Sequence, residues 1–259
     1  MTMTNLLCSV PVLLAVLAPV YGASPAVPSP QPVVRYPASE QLHYNVTWPS
    51  GLSLGEASLN VTRTSAAAGQ AGAIRSELTI NASVPGYQVN DKYSSNATSD
   101  YCSVSFDKTM RHGTHQKDEV LRFDQVRNTA SRETLTLAHE SAPMGVDLGR
   151  SAAPTAACAK DALTWVSYLR NELAAGRLPQ QQSLYFGHAY DVRVQYRGAE
   201  SVQVGGAPVN ADRVDVLLHG PASELSLTAY FAQDEARTPV LFRVPLSGGT
   251  FSMELAKQQ

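Results

Sequence analysis

The sequence predicts a mainly β protein: an antiparallel, strongly curved sheet or open barrel of about a dozen strands, with one central α-helix packed on it. Two patterns point there. Runs of alternating apolar and polar residues recur from residue 42 to residue 255, separated by turns rich in Gly, Pro, Asn and Asp, as in a β-meander. One long stretch, residues 158–179, breaks that period of two and reads as an amphipathic helix between the two halves.

The helix is justified residue by residue. On a wheel of about 100° per residue, Trp165, Val166, Leu169 and Leu173 fall within about 60° of Ala162. Thr164, Ser167 and Asn171 lie opposite and are expected to face solvent. Asp161 can cap the start, Gly176 supplies a left-handed exit and Pro179 prevents resumption. Burying the four apolar side chains yields about 6–12 kcal/mol gross. Ordering about 14 backbone residues costs as much or more, so the helix needs a sheet to lie on.

Strands supply that surface. Leu42, Tyr44, Val46 and Trp48 alternate with polar residues, Pro49-Ser50-Gly51 turns the chain, and residues 52–62 return it. The apolar phase shifts across Gly55, which predicts a bulge. Ile74, Leu78 and Ile80 mark the next strand. The segment Tyr87–Thr98 is so polar that it reads as an edge or solvated strand. Strands are also expected at 101–106, 119–123 and 131–137, followed by a long irregular connection at 138–157. After the helix, strand signals recur at 183–186, 190–196, 201–204, 212–218, 224–231, 240–246 and 250–255.

Residues 1–22 read as a cleavable secretory signal, with an apolar run from Leu6 to Val20 and a cut between Gly22 and Ala23. Residues 23–38 form a Pro-rich tether, and 39–257 a single β-rich domain. The expected location is periplasmic or secreted, with no membrane span left after signal removal. With 20 basic and 22 acidic residues and a net charge of −2, nothing favours nucleic acid or an anionic membrane. Outside the leader the cysteines are Cys102 and Cys158. In an exported protein such a pair is most simply a disulfide, closing a loop worth about 4 kcal/mol and pinning the helix start to a strand.

Three blocks of residues are familiar. Glu40-x-Leu-x-Tyr-x-Val-x-Trp followed by Gly51-Leu-Ser-Leu-Gly55-Glu-Ala opens the domain. Cys158-x-Lys-Asp161-Ala-Leu, Tyr168-Leu-Arg170 and Gly176 mark the helix, and Ala229-Tyr-Phe-x-x-Asp234-x-x-Arg237-x-Pro239-Val240 with Gly249 and Leu255 closes the chain. Together they resemble the bacterial domain-of-unknown-function family 3108, although Tyr230-Phe231 stands where Trp is expected. The resemblance implies an exported, envelope-located β protein of bacteria, and brings with it no known activity, catalytic residue or cofactor.

Chemistry-bearing patterns are few. His112-Gly-Thr-His115 would need a third ligand to hold a metal, which Asp107 or Asp118 could supply, but the segment is a loop or hairpin tip rich in Lys and Arg and reads as solvated. There is no GxSxG, HExxH or P-loop, and the aspartates show no paired-acid spacing. The N-x-S/T triplets at Asn45, Asn60, Asn81 and Asn96 read as ordinary polar strand residues in a bacterial protein. Arg170 borders the apolar stripe and has two readings, an internal ion pair or a ligand anion. No catalytic residue, metal ligand or cofactor is assigned. The leading expectation is a non-enzymatic periplasmic carrier for a lipid or other apolar ligand, faced by Trp48, Trp165, Tyr168 and Leu169. The alternatives are an envelope assembly or scaffold module, which would bind a protein partner along the polar strand Tyr87–Thr98, and a hydrolase assembled only in three dimensions.

Overall fold

The structure is a computed structural model that describes residues 36–66, 71–84, 86–138, 149–179, 182–221, 224–246 and 249–256. The expected signal, most of the expected tether and much of the long connection lie outside these residues.

The chain first runs an antiparallel meander of eight strands: β1 (Ser39–Thr47), β2 (Ser53–Thr64), β3 (Ala73–Val84), β4 (Tyr87–Thr98), β5 (Ser103–His112), β6 (His115–Asp124), β7 (Thr129–Ala138) and β8 (Arg150–Pro154). The helix α1 (Ala162–Ala174) follows. A second meander then runs back: β9 (Gln182–Tyr185), β10 (Ala189–Val204), β11 (Ala207–His219), β12 (Glu224–Ala232), β13 (Pro239–Leu246) and β14 (Gly249–Leu255). The last strand pairs with the first, Tyr44 opposite Leu255, so both halves form one 14-stranded sheet. The sheet does not close. Its edges are β8 and β9, and α1 is the connection between them.

Alternation decides which residues face inward. Leu42, Tyr44 and Val46 of β1, Leu59 and Val61 of β2, and Phe106 and Leu121 of β5 and β6 are buried on the concave face. Val214 and Val216 of β11 and Ala229 and Phe231 of β12 do the same in the second half. The bulge expected at Gly55 is present. Val46 faces Gly55 while Thr47 faces Ser53, and a Cβ on Gly55 would stand 2.0 Å from the Asn81 carbonyl. Only glycine lets β2 lie that close to β3.

The structure corrects three expectations. Tyr87–Thr98 is no edge. It is paired along its length to β3 and over most of it to β5, and its polarity has another cause, since Ser95 binds the helix start. The helix does not offer a solvated face: Thr164 and Ser167 are as buried as Trp165, because the sheet curls around both sides of it. Residues 190–196 and 201–204 belong to one long strand, and Arg197-Gly198 is a register shift within it instead of a turn. The His112–His115 segment is a tight β5–β6 hairpin end, as one of its sequence readings had it, with the two histidines paired.

Candidate functional site

The helix that builds the site is fixed at its N-terminus by Asp161, which is fully buried. Its Oδ1 accepts from the backbone N–H of Leu163 at 2.9 Å and Thr164 at 3.0 Å. Its Oδ2 accepts from the hydroxyls of Ser95 at 2.7 Å, Ser103 at 2.5 Å and Thr164 at 2.8 Å. The Cys102–Cys158 disulfide, the Ser103 N–H bond to the Ala159 carbonyl and the bridge from Lys160 to Leu184 hold the entry segment between β5 and β9. Gly176, at φ 69, gives the left-handed exit.

Burial pushes the Asp161 carboxyl above the usual carboxylate range despite its five donors. The folded protein therefore holds that proton to a higher pH than the unfolded chain does. The group's contribution is fully present below its unfolded pKa of about 4 and is lost as pH rises through the folded value. Asp161→Ala, which removes the cap and orphans the hydroxyls, is expected to cost about 2–3 kcal/mol. Asp161→Asn keeps the cap, so wild type should lose ground to it in Tm as pH is raised from 4 to 7. Wild type gaining ground over that range would show an ionised, stabilised carboxylate instead.

Further along the helix, Arg170 is 1 % exposed and makes a bidentate pair with Glu40 of β1, at 2.7 and 2.9 Å. Its Nε donates to the carbonyls of Ala236 and Arg237. Of its two sequence readings, the structure supplies an internal partner.

On the other side of the helix lies an apolar cavity of about 480 Å³. Trp165, Val166 and Leu169 of α1 face Phe186, Leu227 and Phe231 across it, and among the described residues Glu224 is the one charged residue lining it. The Trp165 indole N–H is buried and has no acceptor among the described residues. Trp48 and Tyr168 do not line this cavity. Trp48 packs edge-on against Phe251 at 4.6 Å, and Tyr168 lies beneath the Lys160 ammonium, 4.6 Å away, and beside Tyr101.

A second feature escaped the sequence reading. Lys108 and Glu119, opposite one another on β5 and β6, form a buried ion pair. Lys117 lies 2.9 Å and Arg132 3.8 Å from the same carboxylate. Burial holds the Lys108 ammonium below its ordinary range. The available signal was the hairpin itself: once Gly113 sets the turn, the register places Lys108 across from Glu119.

The nearest approach to a hydrolytic arrangement is His112, whose Nε2 lies 2.9 Å from the Asp91 carboxylate. Asp91 also accepts from the Tyr93 hydroxyl at 2.9 Å. A relay needs a nucleophile bound to the imidazole, and among the described residues no hydroxyl or thiol is hydrogen bonded to His112. Among the same residues no group of three or more His, Cys, Asp or Glu side chains is placed to hold a metal. No helix among them is long and apolar enough to cross a membrane.

The family model for proteins of unknown function DUF3108 matches residues 43–256, from β1 to the end of β14. The chain belongs to the DUF3108 family. No curated protein matches it. Among solved structures, this DUF3108 chain is similar to a beta-barrel-like protein of domain of unknown function DUF1849 from Brucella abortus. That match has a TM-score of 0.56 at 8% identity and covers 87% of this chain and 98% of the other. A protein with a YmcC-like fold from Bacteroides fragilis aligns at a TM-score of 0.35 and 8% identity, over 84% and 93% of the two chains. At such identity the first likeness shows the fold alone: a curled, barrel-like β architecture into which the DUF3108 helix is set.

Proposed function

We propose that this DUF3108 protein is a non-enzymatic carrier of the bacterial envelope, exported by residues 1–22, that holds an apolar chain between α1 and the sheet. The observation that carries this reading is the cavity of about 480 Å³. Protein interiors are normally filled to crystal density, and a space of this size with hydrocarbon walls is what small-molecule sites offer. The scaffold reading loses its cue, since β4 is paired on both sides.

Organic extraction of the purified protein followed by mass spectrometry tests the proposal. Wild type is expected to release a molecule bearing a hydrocarbon chain. Ala162→Phe, which places a ring in the cavity from the first turn of the helix, should release none while keeping the wild-type Tm. Wild type that yields no such molecule and takes up no fluorescent fatty acid overturns the proposal.

A further inference from the structure

The apolar cavity and the Lys108–Glu119 cluster share a wall. Phe186 lines the cavity, and its ring lies 5.5 Å from Phe106 and 5.9 Å from Tyr93. The Lys108 ammonium stands 4.4 Å above that ring. One aromatic side chain therefore separates hydrocarbon walls from a patch of charge on β5, β6 and β7.

That patch is unbalanced. Lys108, Lys117 and Arg132 gather on one carboxylate, Glu119, which leaves two positive charges unmatched among the described residues. The other acids of these strands are engaged elsewhere: Asp107 binds Arg122 at 2.6 Å, Asp118 binds Arg111 at 2.7 Å, Asp124 binds Arg127 at 3.1 Å, and Glu133 binds Arg150 at 2.6 Å. His188, on the turn beside Phe186, lies 3.4 Å from Arg132 and supplies no negative charge. The Arg132 Nε is buried without a hydrogen-bond partner among the described residues. Lys108 and Glu119 are sealed at 5 % and 1 % exposure, whereas Lys117 and Arg132 keep 40 % and 24 % and remain reachable. An internal pair needs one cation for one carboxylate. The additional two are what an anion would find on leaving the cavity past Phe186.

We infer that the ligand is an amphiphile with an anionic head, its hydrocarbon tail in the cavity and its carboxylate or phosphate against Lys117 and Arg132. The inference rests on the cavity holding a ligand, as proposed above. It adds the head group and the residues that choose it.

Three probes with one tail separate these claims: dodecanoate, dodecyl phosphate and dodecan-1-ol, each titrated calorimetrically below its micellar concentration at low salt. At least one anion should bind about tenfold or more tightly than the alcohol, as expected for one or two accessible charge-assisted contacts. The stronger of the two anions identifies the head. In the Lys117→Gln, Arg132→Gln double variant, which leaves the Lys108–Glu119 pair in place, that preference should vanish while the alcohol's affinity stays unchanged. Equal binding of all three probes by wild type would overturn the head-group inference and leave the cavity proposal standing. Failure of every probe to bind would overturn the cavity proposal itself. A double variant that folds with wild-type Tm and keeps its preference would place the anion elsewhere and refute the roles of Lys117 and Arg132.

Discussion

Glu40→Ala is expected to lower the stability of the folded protein by about 3–5 kcal/mol, and Arg170→Ala by a similar amount. The Arg170 side chain is 1 % and that of Glu40 9 % exposed, so removing either partner strands a charge in the interior. Arg63 lies 3.9 Å from the same Glu40 carboxylate and would be left facing Arg170 with no anion between them. The consequence reaches beyond one pair. β1 is the strand through which the two halves of the sheet join, and Arg170 is the helix residue that clasps it. Denaturant unfolding of both single variants and of Glu40→Leu with Arg170→Met measures the effect. The double variant should recover part of the loss, because an apolar pair has no desolvation cost to repay. A loss below about 1 kcal/mol in both single variants would show the two charges to be independently solvated.

The Glu40–Arg170 contact also marks where reading the sequence stops. Its partners are 130 residues apart, and no periodicity or local motif links them. What was legible is short in range. Asp161, Gly176 and Pro179 bound the helix because capping and left-handed exits are set within a few residues, and Gly55 announces its bulge by shifting an apolar alternation. The polarity of β4 was visible but its meaning was not. Ser95 is polar because the Asp161 carboxylate needs donors, and that need arises only once the sheet wraps a helix with polar residues on one side. The cavity was half legible. Trp165 and Leu169 come from the wheel, whereas Leu227 and Phe231 belong to a strand, and Phe186 to a turn, whose placement follows from a register fixed across the whole second meander. The charge cluster was closer to hand, since a two-residue turn defines the β5–β6 register and needs no long-range information.

Replacing Cys102 and Cys158 together by serine is expected to cost about 4 kcal/mol, the chain-entropy value for a cross-link spanning 56 residues, and to lower Tm by roughly 10 °C. The bond matters for more than the unfolded chain. Cys158 stands three residues before the helix cap, at a φ of 54 that a side chain adopts at some cost, and Cys102 immediately precedes β5. Once the link is gone, the entry segment is held by the Ser103 N–H to Ala159, the Asp161 N–H to Ser103 Oγ, and the Lys160 bridge to β9. These are bonds of about 1 kcal/mol each. Amide exchange at Leu163, Thr164 and Trp165 should then quicken more than exchange in the β10–β11 ladder, because the helix start opens before the sheet does. The same asymmetry should appear as faster release of the proposed apolar ligand, since Trp165 is both the fourth residue of the helix and a wall of the cavity. Equal exchange in the oxidised protein and the serine variant, with an unchanged Tm, would mean that the hydrogen bonds around Asp161 hold the helix unaided.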